Sequence, residues 1–371
     1  MRSCVFRAIL QCLCIALIFA FDGSNQGFAS VADINIDNTE VEIDLSQNAI
    51  TTVGEWAFSS FTELQTLDLS SNGLQEISVM AFTGTQLQTL HIHDNILAIF
   101  PDLTDVALTI TNIYASKNRF VTIDNAVLQP LVNVQQLDLS ENPLEIWPDF
   151  TGLGSNAFNT LLRLDSVKTL PLEVSPSVCY VSQFRMSHAM PGVLKFACPD
   201  DGSSTLYIAY LQANSITHTS NFTGLVPLAN SGSFTSLILG SNPIEEFPAL
   251  PMAVRSSLTF LSFFYTNLQR IQRHVLEGYS LNTLNLGNTK IERFSCRLFH
   301  ITVTLWLNDI DTLSMDRWLW TRCFCKREAH RVQIITLDES MDTLAQFPDL
   351  SDVLCKTATP LTMRTNKVTI E

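Results

Sequence analysis

Apolar and polar residues follow a fixed order along residues 64–77, LQTLDLSSNGLQEI. The apolar positions are Leu64, Leu67, Leu69, Leu74 and Ile77. Leu67 and Leu69 alternate with Asp68 and Ser70, which predicts a short strand whose leucines point inward. Asn72 is then predicted to turn the chain at a corner, because its side chain can pair backbone groups that would otherwise be buried without partners.

The same order recurs along the chain with an average spacing of about 24 residues, which indicates a solenoid of stacked coils. The corner position is predicted at Asn48, Asn72, Asn95, Asn118, Asn142, Val167, Ala189, Asn214, Asn242, Thr266, Thr289 and Ile310. Threonine can still form local hydrogen bonds at a corner. Val167, Ala189 and Ile310 cannot, so their coils are expected to turn by other means.

The segments that connect successive strands fall into two kinds. Residues 56–64, 80–87 and 127–134 carry apolar side chains three or four apart, which predicts a helical turn or a loop on the outer side. Residues 100–103 (FPDL), 147–150 (WPDF) and 247–250 (FPAL) contain a proline that would interrupt a helix. An extended connection is predicted there.

This repeat resembles the extracellular leucine-rich-repeat family over roughly residues 40–313. The resemblance implies an α/β solenoid, a leucine-rich-repeat horseshoe with about twelve coils. A parallel β-sheet would line the concave face, and short helical turns and loops would form the convex face. It further implies that the concave face binds another protein, as it does in many members.

Residues 1–29 are predicted to be a signal peptide. Arg2 and Arg7 precede an apolar run over residues 8–21, and Gly27-Phe28-Ala29 offers a cleavage site after Ala29. Cleavage after Ala20 is the alternative. A membrane anchor is disfavoured because the run is shorter than the roughly 20 residues that span a bilayer. The tail also lacks the hydrophobic end of a lipid-anchor signal, so a secreted, extracellular protein without a membrane span in its mature chain is expected.

The two ends of the predicted solenoid differ. Residues 31–45 contain no cysteine, so a cap strand without a disulfide is expected around Ile34 and Ile36. The far end resembles the family's C-terminal cysteine cap at Cys323, Cys325 and Cys355, and the solenoid is accordingly assigned to residues 30–315 and the cap to residues 316–371. The resemblance lacks a fourth cysteine, which Cys296 would replace.

Six cysteines remain after signal removal, and an even number suits disulfides in an exported chain. Pairing of the other four within the C-terminal cap, as the resemblance implies, leaves Cys179 and Cys198 for each other. Asn221 in Asn-Phe-Thr is the predicted glycosylation site.

Composition narrows the function classes. Hydrophobic residues make up 46% of the 371 residues and charged residues 16%, which fits a continuous core. The formal net charge of −14 opposes binding to nucleic acids or anionic lipid surfaces. No nucleophile elbow, phosphate-binding glycine loop or zinc-protease motif occurs in the sequence, so neither enzyme activity nor a cofactor is predicted.

Residues four before each corner are predicted to form one column on the concave face: Asp44, Asp68, His91, Tyr114, Asp138, Arg163, Arg185, Tyr210, Ile238, Ser262, Asn285 and Trp306. A partner-binding patch is predicted where outward positions are apolar, at Tyr207, Ile208, Tyr210, Ile238, Phe260, Phe264 and Tyr265. The alternative is a register shifted by one residue, which would turn these side chains into the core.

His91 and His93 share one strand face beside Asp68 and form a weak candidate for a divalent metal site. Solvated polar side chains are the alternative, and protonation of the two histidines near Asp94 and Asp138 could make binding sensitive to pH.

The sequence therefore predicts a secreted leucine-rich-repeat protein that recognises an extracellular protein partner of unknown identity through its concave face, without catalysis. One alternative is a matrix or adhesion component that self-associates, with a possible homodimer. Another is an extracellular enzyme inhibitor whose acidic columns face a basic enzyme.

Overall fold

A computed structural model describes residues 20–157, 159–171, 173–189, 194–217, 222–294 and 298–307, together with three short strands further along the chain. The strands are β1 (Ala20–Asp22), β2 (Glu42–Asp44), β3 (Thr52–Val53), β4 (Thr66–Asp68), β5 (Glu76–Ile77), β6 (Thr89–His91), β7 (Asn112–Tyr114), β8 (Gln136–Asp138), β9 (Leu161–Arg163), β10 (Glu173–Val174), β11 (Gln183–Arg185), β12 (Leu194–Phe196), β13 (Ile208–Tyr210), β14 (Phe222–Thr223), β15 (Ser236–Ile238), β16 (Phe260–Ser262), β17 (Arg270–Ile271), β18 (Leu281–Asn285), β19 (Arg293–Phe294), β20 (Thr302–Trp306), β21 (Ile334–Thr336), β22 (Thr362–Arg364) and β23 (Thr369–Ile370).

One long sheet contains 16 of these strands, in the order β1-β2-β4-β6-β7-β8-β9-β11-β13-β15-β16-β18-β20-β21-β22-β23. All neighbours in it are parallel except β22 and β23, which are antiparallel. Each coil contributes one short strand to this sheet, and the chain then returns through the convex side to the next strand. The predicted α/β leucine-rich-repeat solenoid is confirmed.

Short elements occupy the opposite, convex side of the coils. The α-helices are α1 (Asn125–Leu128), α2 (Leu225–Asn230), α3 (Met252–Ser257) and α4 (Leu298–Ile301), and 3-10 helices span Val31–Asp33, Thr104–Val106, Pro176–Tyr180 and Arg273–Leu276. Three small parallel sheets, β3-β5, β10-β12-β14 and β17-β19, complete this side. Residues 56–64 and 80–87 contain turns, in agreement with the predicted helical turn or loop, and residues 100–103, 147–150 and 247–250 contain no helix.

The core runs the length of the described coils between these two sides. Leucines and isoleucines from the strands, such as Leu67 and Leu69, are fully buried, and a second row nearer the convex side consists largely of phenylalanine. Phe58 and Phe82 lie with ring centroids 6.0 Å apart, and Phe100 and Phe120 lie 5.6 Å apart. These aromatic side chains fill the core in several of the coils.

A left-handed residue precedes each corner. The residues in this position have φ between 52 and 59°, and they are Gln47, Ser71, Asp94, Lys117, Glu141, Ser166, His188, Ala213, Ser241, Tyr265 and Asn288. Positive φ bends the chain out of the strand direction within one residue. Ser166 and His188 adopt it just before Val167 and Ala189, which explains how these two coils turn without a corner asparagine.

The corner asparagines connect each coil to the one before it. Asn118 donates through Nδ2 to the carbonyl oxygens of Ile92 (2.9 Å), Ala115 (3.2 Å) and Ser116 (3.3 Å), and its Oδ1 accepts from the amide of Leu97 (3.1 Å). One buried side chain therefore pairs four backbone groups, two of them in the preceding coil.

The two threonine corners behave differently from each other. Thr289 Oγ1 donates to the Leu286 carbonyl oxygen at 2.8 Å, as expected. Thr266 Oγ1 is buried without a hydrogen-bond partner, so the expected local bond is absent there. The left-handed Tyr265 maintains this corner.

The amino-terminal end differs from the sequence prediction. Ile34 and Ile36 pack against the core outside any strand, so the cap strand expected around them is wrong. The edge of β2 is covered by β1, which pairs with it in parallel. Sequence reasoning missed β1 because residues 20–22 lie at the end of the apolar run that reads as a signal peptide.

Covalent features are described only in part. Cys179 and Cys198 form a disulfide with an S–S distance of 2.00 Å, which joins the 3-10 helix Pro176–Tyr180 to the segment after β12. Cys296, Cys323, Cys325, Cys355, Asn221, Ile310 and residues 1–19 lie outside the described residues, as does the predicted boundary at residue 315. Within the described part, no helix is both long and apolar enough to cross a bilayer.

We predict that Asn118→Ala lowers the free energy of unfolding by about 2–4 kcal/mol, because it leaves buried carbonyl and amide groups without partners. Asn133→Ala is the matched control, since Asn133 makes one exposed bond, to the Leu108 carbonyl oxygen. Its expected cost is below about 1 kcal/mol. Urea denaturation followed by circular dichroism measures both, and equal losses would contradict a structural role for the corner asparagine.

Candidate functional site

The column of outward residues predicted on the concave face is confirmed by the strand register. Asp44, Asp68, His91, Tyr114, Asp138 and Arg163 are consecutive Cα partners on neighbouring strands. The series continues through Arg185, Tyr210, Ile238, Ser262, Asn285 and Trp306. Twelve coils therefore align one continuous row of residues along the concave face.

This face divides into two parts of different character. Strands β2 to β11 and their corners carry Glu42, Asp44, Asp68, His91, His93, Asp94, Lys117, Asp138, Glu141, Arg163, Asp165, Arg185 and His188, and we call this part the charged half. In the long sheet, strands β13, β15, β16, β18 and β20 and the described residues that lead to their corners contain no Asp, Glu, Lys, Arg or His. We call this second part the uncharged half. Asp309, before the predicted corner Ile310, lies outside the described residues.

Cations in the charged half are paired with carboxylates. Arg163 lies 3.2 Å from Asp138 and 3.4 Å from Asp165, and Arg185 Nε lies 2.7 Å from Asp165. Asp165 also accepts from the Ser187 amide at 2.8 Å. This network joins strands β8, β9 and β11, so the basic residues in the middle of the column do not form a free positive surface.

His91 lies flat against an aromatic ring. Its imidazole stacks on Tyr114 with centroids 4.5 Å apart and planes 6° apart, and His93 meets it edge-on at 5.9 Å. Burial lowers the pKa of His91 below its ordinary 6.5, the Asp68 carboxylate raises this pKa, and His93 lowers it. The described residues include no group of three or more His, Cys, Asp or Glu side chains placed to hold a metal ion.

The apolar patch lies within the uncharged half. Tyr210 and Ile238 are direct partners on neighbouring strands, and Ile208, Ser236 and Phe260 form the adjacent row. All five side chains are only partly buried, whereas the intervening residues Ala209, Leu237 and Leu261 are fully buried. The observed register is therefore the predicted one, and the register shifted by one residue is not seen.

Two tyrosines of the patch are held in place by an amide network. Tyr207 Oη donates to Asn159 Oδ1 at 2.7 Å and accepts from Gln183 Nε2 at 2.9 Å, and Tyr210 Oη donates to Gln183 Oε1 at 3.2 Å. Burial, together with the nearby Tyr207, raises the pKa of Tyr210, so its hydroxyl remains a donor at neutral pH. The network fixes both rings before any partner binds.

Phe264 and Tyr265 form the other end of the patch. Their rings lie 4.2 Å apart in an edge-on arrangement, and Tyr265 is 56% exposed. A Cβ on Gly240, in the neighbouring coil, would lie 2.7 Å from the Phe264 carbonyl oxygen. Gly240 therefore allows the backbone at Phe264 to lie close to the preceding coil.

Sequence reasoning missed Asn159 and Gln183, which orient the two tyrosines. Gln183 stands one coil before Ile208 in the same row, so the repeat register could have identified it. Asn159 precedes β9 in an irregular connection, where the pattern gives no position. The role of Asp165 could have been recognised, because it replaces the serine found at the same position in several other coils.

Comparisons with known proteins agree with this geometry. A family model described as leucine rich repeat matches residues 41–97. The chain is 29% identical over 124 residues to Tsukushi of Gallus gallus and 32% identical over 161 residues to Tsukushi of Mus musculus. These matches cover 31% and 35% of this chain, and 32% and 45% of the relatives. The chain thus spans less than half the length of the curated relatives that it matches.

Among solved structures, a chain of the LRIM1/APL1C complex superposes with a TM-score of 0.51 at 18% identity. The superposition covers 89% of this chain and 63% of the other. At this level of identity the similarity concerns the fold alone.

We predict that His91 has a pKa below 6.5, because burial disfavours the imidazolium. NMR titration of the folded protein measures this pKa. Asp68→Asn is expected to lower this pKa further, since it removes a carboxylate that favours the charged form. Glu173→Gln, on the convex strand β10, is expected to leave the pKa unchanged.

The same shift fixes the sign of a pH effect on stability. The folded state favours neutral His91. The resulting contribution to the free energy of unfolding is complete above about pH 6.5 and is lost as the pH falls through the folded-state pKa. A pKa of His91 at or above 6.5 in the folded protein would contradict the assignment.

Proposed function

We propose that the chain is a secreted member of the extracellular leucine-rich-repeat family and that it binds another extracellular protein through its concave face, without catalysis. The uncharged half of that face is the proposed centre of contact. Its partner remains unnamed, and the chemistry of the face defines the kind of surface it would accept.

The single observation that carries the proposal is the uncharged half itself. A chain with a net charge of −14 presents five successive concave strands without a charged side chain, with tyrosine, phenylalanine and isoleucine in outward positions. Neutral side chains lose less hydration free energy on burial than charged ones. Tyrosine and phenylalanine also provide large contact area at low entropic cost.

The size of this surface fits a protein partner. Five strands at the usual spacing cover about 19 Å across the sheet. A standard protein interface buries about 800 Å² on each side, so the uncharged half would form its centre and neighbouring residues would form its rim. The open, gently curved sheet suits a protein surface better than an enclosed small molecule, which binds in a concave pocket.

The patch is also ordered in advance. The hydroxyls of Tyr207 and Tyr210 are bonded to Asn159 and Gln183, and the strands beneath them are held by corner asparagines. A surface that is rigid before binding loses less conformational entropy when a partner docks. This favours specific binding by the uncharged half over nonspecific adhesion.

We predict that Tyr210→Ser combined with Phe264→Ser abolishes capture of the partner, because it removes two central aromatic contacts. The secreted chain would serve as bait, with mass spectrometry to identify proteins that bind wild type and not the double variant. Trp56→Ser is the matched control, since Trp56 is 54% exposed on the convex side.

Both variants are first compared with wild type by thermal melting. Retained capture by the double variant, or a large fall in its melting temperature, would contradict a binding role for these residues.

Self-association is a second candidate function, favoured by one observation. Ile99 and Ile146 are 81% and 62% exposed, and each lies four residues after a corner asparagine, on coils two apart. Val121, on the coil between them, is 42% exposed. Exposed aliphatic side chains in such an array favour contact with another apolar surface.

If the chain self-associates through these residues, light scattering will show a mass that rises with concentration, and Ile99→Ser with Ile146→Ser will restore the monomer mass. A monomer mass of the wild-type chain at all concentrations would eliminate this candidate and leave the concave-face proposal intact.

A further inference from the structure

Residues 20–28 occupy the place of a coil in front of the first complete repeat. Ala20, Phe21 and Asp22 are direct partners of Glu42, Ile43 and Asp44. The pairing extends beyond the strand, because the Gly23 amide donates to the Asp44 carbonyl oxygen at 2.8 Å, and the Asn25 amide donates to the Ser46 carbonyl oxygen at 3.0 Å. Asn25 has φ of 52°, as do the residues before other corners. The segment therefore repeats the backbone path of a coil.

Phe21 fills the apolar slot at this end of the core. The register places Gly23 opposite Leu45, a position that holds a leucine in the next coils. A Cβ on Gly23 would lie 2.5 Å from the Phe21 ring and 3.1 Å from Leu45. The glycine thus leaves room for the ring, which covers the first coil where it would otherwise face water.

Asn48 requires this segment as its preceding coil. Its Oδ1 accepts from the amides of Gln26 and Phe28, each at 3.0 Å, and its Nδ2 donates to the Gly23 carbonyl oxygen at 2.8 Å. The Ala49 amide adds a bond to the Phe28 carbonyl oxygen at 2.8 Å. Asn72 makes the equivalent reach to Leu45 in the coil before it. Removal of residues 21–29 would leave the partners of Asn48 missing and the edge of β2 open.

We propose that residues 21–29 stay in the secreted chain as its amino-terminal cap, and that the leader is released at the Ala20–Phe21 bond and not at Ala29–Ser30. Signal peptidase would hydrolyse this peptide bond with one water molecule, leaving a carboxylate on Ala20 and a free amine on Phe21. Both bonds follow an alanine, but the residue two before it is Ile18 at the first bond and Gly27 at the second, so the small-residue rule alone favours the second. The contacts of Phe21, Gly23 and Phe28 favour the first.

Retention of the cap also changes the concave face. Asp22 is the register partner of Asp44, which in turn is the partner of Asp68. The mature face would therefore begin with three carboxylates in one column, one coil earlier than the sequence predicts. Cleavage after Ala29 would remove the first of them.

Amino-terminal sequencing and intact-mass measurement of the full chain, secreted from cultured cells, test the proposal. The expected first residue is Phe21. A first residue anywhere from Asp22 to Ser30 would overturn retention of the complete cap, and a first residue before Phe21 would overturn the choice of bond.

A matched pair of variants locates the bond independently. Ala20 and Ala29 are both exposed, so arginine at either position leaves the packing intact. Ala20→Arg is expected to block release of the leader, and Ala29→Arg to be processed as wild type, because signal peptidase requires a small residue before the bond it cuts. The reverse pattern would overturn the proposal.

The capping role has its own readout. A chain in which Ser30 directly follows the leader is expected to melt at a lower temperature than wild type, or to fail to be secreted. Gly23→Leu is a milder variant, since it crowds the Phe21 ring without removing the segment, and it is also expected to lower the melting temperature. Unchanged melting of both variants would show that the segment caps nothing.

Discussion

Pairing of backbone groups at the inner corner is the constraint on which the rest of this structure depends. A left-handed residue precedes each described corner, at a cost of about 1–2 kcal/mol because it is not glycine. The asparagine that follows it offsets this cost in seven of the coils by bonding backbone atoms of its own coil and of the preceding one. Asn118 alone pairs four such groups. The coils therefore stack in one register, and every outward column follows from that register.

The corner hydrogen bonds and the buried leucines stabilise the fold. The outward side chains of the strands therefore contribute little to its stability. In the first seven coils, Lys117, Arg163 and Arg185 each pair with a carboxylate on the same face. The long-sheet strands β13, β15, β16, β18 and β20 present aromatic, aliphatic and neutral polar side chains, with no charged residue among them. Exposed apolar side chains favour contact with another surface, and neutral side chains lose less hydration free energy on burial than charged ones, which supports the proposed contact with a partner.

The sequence predicted the repeat, the buried leucines and the concave columns. Each of these depends on the spacing of residues along the chain and on the alternation of inward and outward side chains in a strand. It did not predict left-handed conformations at Ala213 or Tyr265, since no local preference of these residues favours positive φ. The bonds of Asn159 and Gln183 to the tyrosines were also missed, because they join side chains that are distant in the chain. The cap formed by Phe21 and Gly23 was hidden, since its residues resemble a signal peptide.

The central claim is that the uncharged half of the concave face contacts the partner. Hydroxyl-radical footprinting with mass spectrometry, performed on the secreted chain alone and in complex with a captured partner, measures side-chain exposure directly. We predict that oxidation of Tyr210, Phe264 and Tyr265 falls in the complex, while that of Trp56 on the convex side stays the same. Unchanged oxidation of the three concave residues, with protection of Trp56, would contradict the account.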